Sequence, residues 1–108
     1  MTETIKAKGA SKRVYVFTVN PKSAELPTFG GVYIVARKQG VAIGRQYNII
    51  YIGKAENLRE RHVKHHREKC FKLHGANFIL FHACANEYQR RIIEDDLLAA
   101  NDPPCNKE

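Results

Sequence analysis

Two segments that are apolar on both faces constrain the fold of this chain more than any other feature. Residues 31–38 (GVYIVARK) and 48–53 (NIIYIG) are rich in β-branched and aromatic side chains, which favour strands. Because apolar side chains in residues 31–38 occupy successive positions, this strand is predicted at the centre of a sheet that is covered on both faces.

Two further segments are predicted to form strands, and turn-rich segments separate them. RVYVFTV (13–19) and NFILFHAC (77–84) carry the same types of side chain. Residues 20–30 contain two prolines and a glycine and are predicted to form a loop. Residues 39–46 contain two glycines and are predicted to form a turn or the tip of a long hairpin.

Helices are predicted over about 55–68 and 86–100, with Asn86 as the N-cap of the second. Residues 69–76 are predicted to continue as a short helix that stops at Gly75, and Pro103 ends the last helix because proline cannot continue it. The order β, β, β, α, β, α predicts an α+β fold: a small, mostly antiparallel central sheet flanked by helices.

A chain of 108 residues corresponds to one compact domain. Residues 1–12 are polar and small and are predicted to be a flexible tail, so the domain spans 13–108. The three cysteines form no CxxC pair, which predicts free thiols and a reducing cytoplasm. No signal peptide or membrane-spanning segment is predicted.

The chain carries 18 Lys+Arg against 11 Asp+Glu, a formal net charge of +7. This excess indicates a polyanionic partner, with nucleic acid as the commonest case and an anionic membrane surface as the rival. The five histidines and Cys70 raise the alternative of a structural zinc site, but no four-ligand pattern of known spacing is present.

Basic residues are concentrated where the third strand ends and a helix begins. Gly53 ends the strand, Lys54 lies at the turn, and Arg61 follows about two helical turns later. Free N–H groups at a helix start, together with these cations, suit phosphate contacts. The structural alternative is a solvated helix face with internal charge pairs. Tyr33 and Tyr51 also have a structural alternative, as core aromatics whose hydroxyls reach the rim.

These residues together resemble the GIY-YIG nuclease family. GVY (31–33) and YIG (51–53) are similar to the two half-motifs that name the family, and Lys54, Asn57, Leu58, Arg61 and His65 follow in its order. A closing segment (92–106) places Glu94 on a helix and Asn106 after a proline turn, as the excision-repair nuclease subunit does. Seventeen residues separate Tyr33 from Tyr51, more than is usual in the family, which predicts a longer hairpin over 38–47.

The resemblance implies a metal-dependent endonuclease that hydrolyses phosphodiester bonds in DNA, in repair or in a mobile element. It implies Tyr33 as general base, Tyr51 as positioning group, Arg61 as phosphate clamp and Glu94 as ligand of Mg²⁺ or Mn²⁺. The remaining motif residues are expected to bind substrate or phosphate: Gly53, Lys54, His65 and Asn106. Among them, Gly53 is expected to let the backbone approach closely, and Asn106 is expected to order the site by hydrogen bonds after the proline turn.

Several alternatives remain open. The first is a nucleic-acid-binding module of the same type with little or no catalytic activity, and the second is a structural protein in which the motif is a coincidence. A homodimer or a partner protein is expected to supply specificity to so small a domain.

Overall fold

The computed structural model describes residues 3–38, 47–63 and 65–107 and confirms the α+β prediction. Its five strands form one sheet in the order β1-β2-β5-β3-β4, and every neighbouring pair is antiparallel. The elements are β1 (Glu3–Lys8), β2 (Val14–Pro21), β3 (Gly31–Lys38), β4 (Tyr47–Ala55), α1 (Leu58–Val63), α2 (Glu68–Leu73), β5 (Phe78–Ala83), α3 (Glu87–Ala100) and a 3₁₀ helix (Pro104–Asn106).

Strand β3 lies inside the sheet, as its sequence predicts, and residues 31–36 are all buried. One face of the sheet packs against α3 through Ile93 and Leu97. The other face packs against α1 and α2 through Leu58 and Phe71. The sheet is therefore the middle layer of the domain, and its two faces are covered by different helices.

The prediction of a flexible tail over 1–12 is wrong for residues 3–8, which form β1. Ile5 pairs with Phe17 of β2, and alternate side chains of β1 pack against the core. The Asp96 carboxylate on α3 anchors the following turn, because it accepts hydrogen bonds from the Ser11 N–H (2.8 Å) and hydroxyl (2.7 Å) and from the Tyr15 hydroxyl (2.6 Å). This anchor joins residues far apart in sequence, so local composition does not reveal it.

The helix predicted over 55–68 is shorter in the structure, where α1 covers only Leu58–Val63. The short helix predicted over 69–76 corresponds to α2 (Glu68–Leu73). Asn57 caps α1, and its side-chain oxygen accepts a hydrogen bond from the Glu60 N–H at 3.1 Å. The chain turns at His65, whose Nδ1 accepts from the Arg67 N–H at 3.0 Å. α2 then follows, and the predicted stop at Gly75 is confirmed by its positive φ of 70°.

The predicted bounds of α3 are confirmed to within one residue. The Asn86 side chain accepts a hydrogen bond from the Gln89 N–H at 2.9 Å, so the predicted N-cap is confirmed as well. The predicted turn at 39–46 lies outside the described residues, although the strands on either side of it pair from Lys38 with Tyr47 onward. None of the described helices is long and apolar enough to cross a membrane.

The expectation of three free thiols is wrong for two of the cysteines. Cys70 on α2 and Cys105 in the 3₁₀ helix form a disulfide, while Cys84 is a free thiol. The two bonded residues are 35 positions apart, and only the fold brings them together. The bond joins the segment after α3 to the helical layer beside β4.

Candidate functional site

Tyr33 and His65 form a buried hydrogen-bonded pair at the centre of the predicted site. The Tyr33 side chain on β3 is 2% exposed, and its hydroxyl lies 2.5 Å from His65 Nε2. The other ring nitrogen of His65, Nδ1, accepts the Arg67 N–H, so the proton of the neutral imidazole lies on Nε2. His65 Nε2–H therefore donates to the Tyr33 oxygen.

The environment of His65 keeps its ring neutral. Burial lowers the pKa of His65 to about 4, and electrostatic interactions with His66 and Arg61 contribute in the same direction. At neutral pH the ring is therefore a neutral donor to Tyr33. Both ring nitrogens of His65 bond within the protein, so the predicted phosphate contact of His65 stays a prediction.

Tyr51 and Gly53 on β4 complete an aromatic cluster around Tyr33. The Tyr51 ring centroid lies 5.9 Å from that of Tyr33, 5.0 Å from that of His65 and 5.5 Å from that of Phe71. A Cβ at Gly53 would lie 2.7 Å from atoms of both tyrosines. Gly53 therefore makes room for the two tyrosine side chains, and its predicted role in the approach of substrate stays a prediction.

Both tyrosines resist ionisation in this environment. Burial raises the pKa of Tyr33 well above its ordinary value and Tyr51 raises it further, while Arg61 lowers it. Burial also raises the pKa of Tyr51; Glu94 adds to this, and the hydrogen bond from Tyr33 opposes it. Both phenols are protonated at neutral pH, so either one needs added positive charge before it can act as a base.

Glu94, Lys54 and Arg61 lie beside the tyrosines. Glu94 on α3 is half-buried, and its Oε1 lies 3.7 Å from Lys54 Nζ on β4. Burial raises the pKa of Glu94, and Lys54 opposes that rise. The Arg61 Nη1 lies 3.4 Å from the Lys54 carbonyl oxygen, and its charge acts on both tyrosines and on Glu94. The fold therefore brings together, beside the tyrosines, three side chains from distant parts of the sequence.

Asn106 lies apart from this group, at the outer edge of β4. Its side-chain oxygen accepts from the Ile52 N–H at 2.8 Å, and its side-chain nitrogen donates to the Ile52 carbonyl at 2.9 Å. Both halves of the amide are therefore used to hold the strand between Tyr51 and Gly53. This contact agrees with the predicted ordering role of Asn106, and its predicted contact with substrate stays a prediction.

A cavity of about 670 Å³ opens beside Lys54 and Arg61. Its lining contains four cationic and two acidic side chains, and Tyr88 on the first turn of α3 is 70% exposed. Arg90 is buried, and its Nη1 donates to the carbonyls of Cys84 and Ala85 at 3.0 Å each. The lining consists of Lys54, Ala55, Glu56, Arg61, Glu87, Tyr88, Arg90 and Arg91.

The α3 contribution to this cavity was not predicted from the sequence. Arg90 and Arg91 follow Tyr88 closely on one helix, and this pairing of an aromatic residue with two cations is the signal that the sequence offered. Only the fold shows that the start of α3 lies beside Lys54 and Arg61.

Comparisons with known proteins return no family model, no curated protein and no solved structure that matches this chain. Membership of the GIY-YIG family therefore stays a prediction that rests on the motif residues.

Proposed function

We propose that this protein is a metal-dependent endonuclease of the GIY-YIG type that hydrolyses phosphodiester bonds in DNA. The observation that carries the proposal is the convergence of Tyr33, Tyr51, Arg61 and Glu94 beside a basic cavity. Metal-dependent hydrolysis of a phosphodiester uses a group that accepts a proton, cations that neutralise the phosphate and an acidic residue that holds the metal ion. The converging side chains include one candidate for each task.

Arg61 and Lys54 are the proposed phosphate contacts. Both line the cavity, and the chain carries a net charge of +7. The planar guanidinium of Arg61 can donate two parallel hydrogen bonds to phosphate oxygens, whereas Lys54 acts as a point charge. A DNA strand in the cavity would therefore place its phosphate against Arg61, whose charge acts on both tyrosines.

Tyr33 is the proposed general base, and His65 is the residue proposed to favour its deprotonation. The hydrogen bond from His65 Nε2–H stabilises a phenolate at Tyr33, and the Arg61 charge acts in the same direction. Tyr51 lies against both rings and is proposed to position the attacking water or the phosphate. The buried phenol must gain access to that water when substrate binds.

Glu94 is the proposed ligand of Mg²⁺ or Mn²⁺. Mg²⁺ is commonly bound by one or two carboxylates, with water and substrate phosphate oxygens as the other ligands, and a single half-buried glutamate fits that pattern. When bound, the ion neutralises phosphate charge and lowers the pKa of a coordinated water. Lys54 must move from Glu94 for this to occur, and the 3.7 Å separation indicates a loose ion pair.

The test is incubation of the purified protein with supercoiled, branched and single-stranded DNA in the presence of Mg²⁺ or Mn²⁺. We expect cleavage that Glu94→Gln abolishes and that Arg61→Ala lowers by roughly 10²–10³-fold, as for other groups that stabilise a charged transition state. Glu60→Gln is the matched control for charge, because Glu60 is exposed on α1. Absence of cleavage with every substrate, or cleavage that survives both site variants, refutes the proposal.

The second candidate is a nucleic-acid-binding module without catalysis. Two observations favour it: Tyr33 is almost fully buried, and Lys54 already pairs with the Glu94 carboxylate. This candidate predicts DNA binding that weakens steeply with salt, with no turnover under any metal condition. Binding and cleavage measured on the same protein sample distinguish the two.

The nuclease proposal places the protein in the cytoplasm, with DNA repair or a mobile element as its setting. We also propose that a second copy or a partner protein supplies specificity, because the cavity holds few side chains that could read bases. Sedimentation of the protein with and without DNA tests whether a second copy of the chain is present.

A further inference from the structure

Three potential metal ligands lie together on the side of the domain that carries α2. Cys70 and His74 are four residues apart, so they lie on one face of the helical turn. Cys105 approaches from the 3₁₀ helix. The Sγ atoms and one His74 ring nitrogen all lie within 4.8 Å of one another.

We propose that Cys70, His74 and Cys105 bind Zn²⁺ when the disulfide is reduced. Two thiolates and an imidazole are ligands that Zn²⁺ prefers, and Mg²⁺ prefers oxygen. Cys105 is buried and Cys70 half-buried, whereas His74 is exposed, so the open side of the cluster can admit a water as the fourth ligand of a tetrahedral site. The inference does not depend on nuclease activity.

The two states are related by a balanced exchange. A dithiol reductant gives two electrons and two protons to the S–S bond, which becomes two thiols while the reductant becomes a disulfide. Zn²⁺ then displaces the two thiol protons into solvent and binds both thiolates, and His74 binds through an unprotonated nitrogen. The link between α2 and the 3₁₀ helix is covalent in the first state and metal-mediated in the second.

Both ends of this link are next to residues that hold β4. Asn106, which follows Cys105, bonds the Ile52 backbone, and Phe71, which follows Cys70, packs against Tyr51. Reduction without zinc therefore loosens two supports of the same strand. Zinc restores the link under reducing conditions, where the disulfide does not persist.

The test compares oxidised protein with protein that has been reduced and freed of metal, each titrated with Zn²⁺ against a chromophoric chelator. We expect one zinc per reduced chain and none per oxidised chain. Co²⁺ added to the reduced protein is expected to give a thiolate-to-metal charge-transfer band. Because His74 is exposed, His74→Ala leaves the core intact, and we expect it to weaken zinc binding by at least about tenfold, since even second-shell changes cost roughly 10–100-fold.

Cys84→Ser is the matched control, because Cys84 is the free cysteine of the described residues and does not belong to the cluster. It is expected to bind zinc as the wild type does. No zinc binding by the reduced protein, or binding that His74→Ala leaves unchanged, overturns the proposal. Thermal melting of the reduced protein with and without Zn²⁺ provides a second readout, and we expect zinc to raise the midpoint.

Discussion

Replacing His65 with glutamine should change how the stability of the protein depends on pH. The pKa of His65 falls from an ordinary 6.5 to about 4 in the folded protein, mainly through burial. The unfolded chain therefore takes up the proton first as the pH falls, and the folded state loses stability between about pH 6.5 and pH 4. Above pH 6.5 the contribution of neutral His65 to the free energy of unfolding is fully present.

The magnitude follows from the size of this pKa change. Each pKa unit corresponds to about 1.4 kcal/mol, so protonation of His65 lowers the free energy of unfolding by up to about 3 kcal/mol across this window. Glutamine does not titrate there, and its side chain can still donate to Tyr33 and accept from the Arg67 N–H. The variant is therefore expected to lack this component of acid sensitivity.

Urea unfolding at several pH values between about 7 and 4 measures the effect. At neutral pH we expect His65→Gln to be the less stable protein, because it loses ring contacts with Tyr51 and Phe71. As the pH falls, the difference in free energy of unfolding between the two proteins should shrink by about 3 kcal/mol, because only the wild type loses stability when His65 is protonated. Subtracting the two curves removes the contribution of carboxylates common to both proteins.

His74→Gln is the control for this experiment, because it removes a histidine that is exposed. Because this variant leaves His65 in place, it is expected to keep the loss of stability between about pH 6.5 and pH 4. If the wild type and His65→Gln lose stability equally between pH 6.5 and pH 4, the assignment of a neutral ring to buried His65 is refuted.

Three further predictions concern other parts of the site. Gly53→Ala should lower the free energy of unfolding by about 1–3 kcal/mol, because the new methyl group overlaps both tyrosines; an unchanged urea midpoint would contradict this packing. Asn106→Ala should destabilise by about 1–3 kcal/mol through the unpaired Ile52 backbone and should speed hydrogen exchange at the Ile52 amide, which NMR can follow. Tyr88→Ala should weaken single-stranded DNA binding by about 1–3 kcal/mol in a fluorescence titration, while Tyr88→Trp retains it, since stacking needs an aromatic face. Equal affinity for the two Tyr88 variants would remove this residue from the interface.

The local sequence was sufficient to predict a strand or helix where that element depends mainly on its own residues. The continuous apolar run of β3 identified an inner strand, and Asn86 with Pro103 set the limits of α3. The positive φ of Gly75 likewise ends α2 at the position that a glycine predicts. In each case the determining interaction lies within a few residues.

The local sequence was insufficient to predict structure that depends on contacts between segments distant in the chain. β1 depends on pairing with β2 and on Asp96, and the disulfide depends on the approach of Cys105 to Cys70. The motif located the residues of the site, but the direction of the hydrogen bond between His65 and Tyr33 depends on the Arg67 N–H. The sequence alone therefore predicted the side chains of the candidate site and left their tautomers and pKa values undetermined.

The Asn106 side chain has a consequence for how the sheet ends. β4 is an edge strand, and such strands carry N–H and C=O groups that can pair with another chain and start aggregation. At Ile52 the amide of Asn106 satisfies both groups, as an added strand residue would. One asparagine thereby blocks the extension of the sheet into a neighbouring molecule at the point closest to Tyr51 and Gly53.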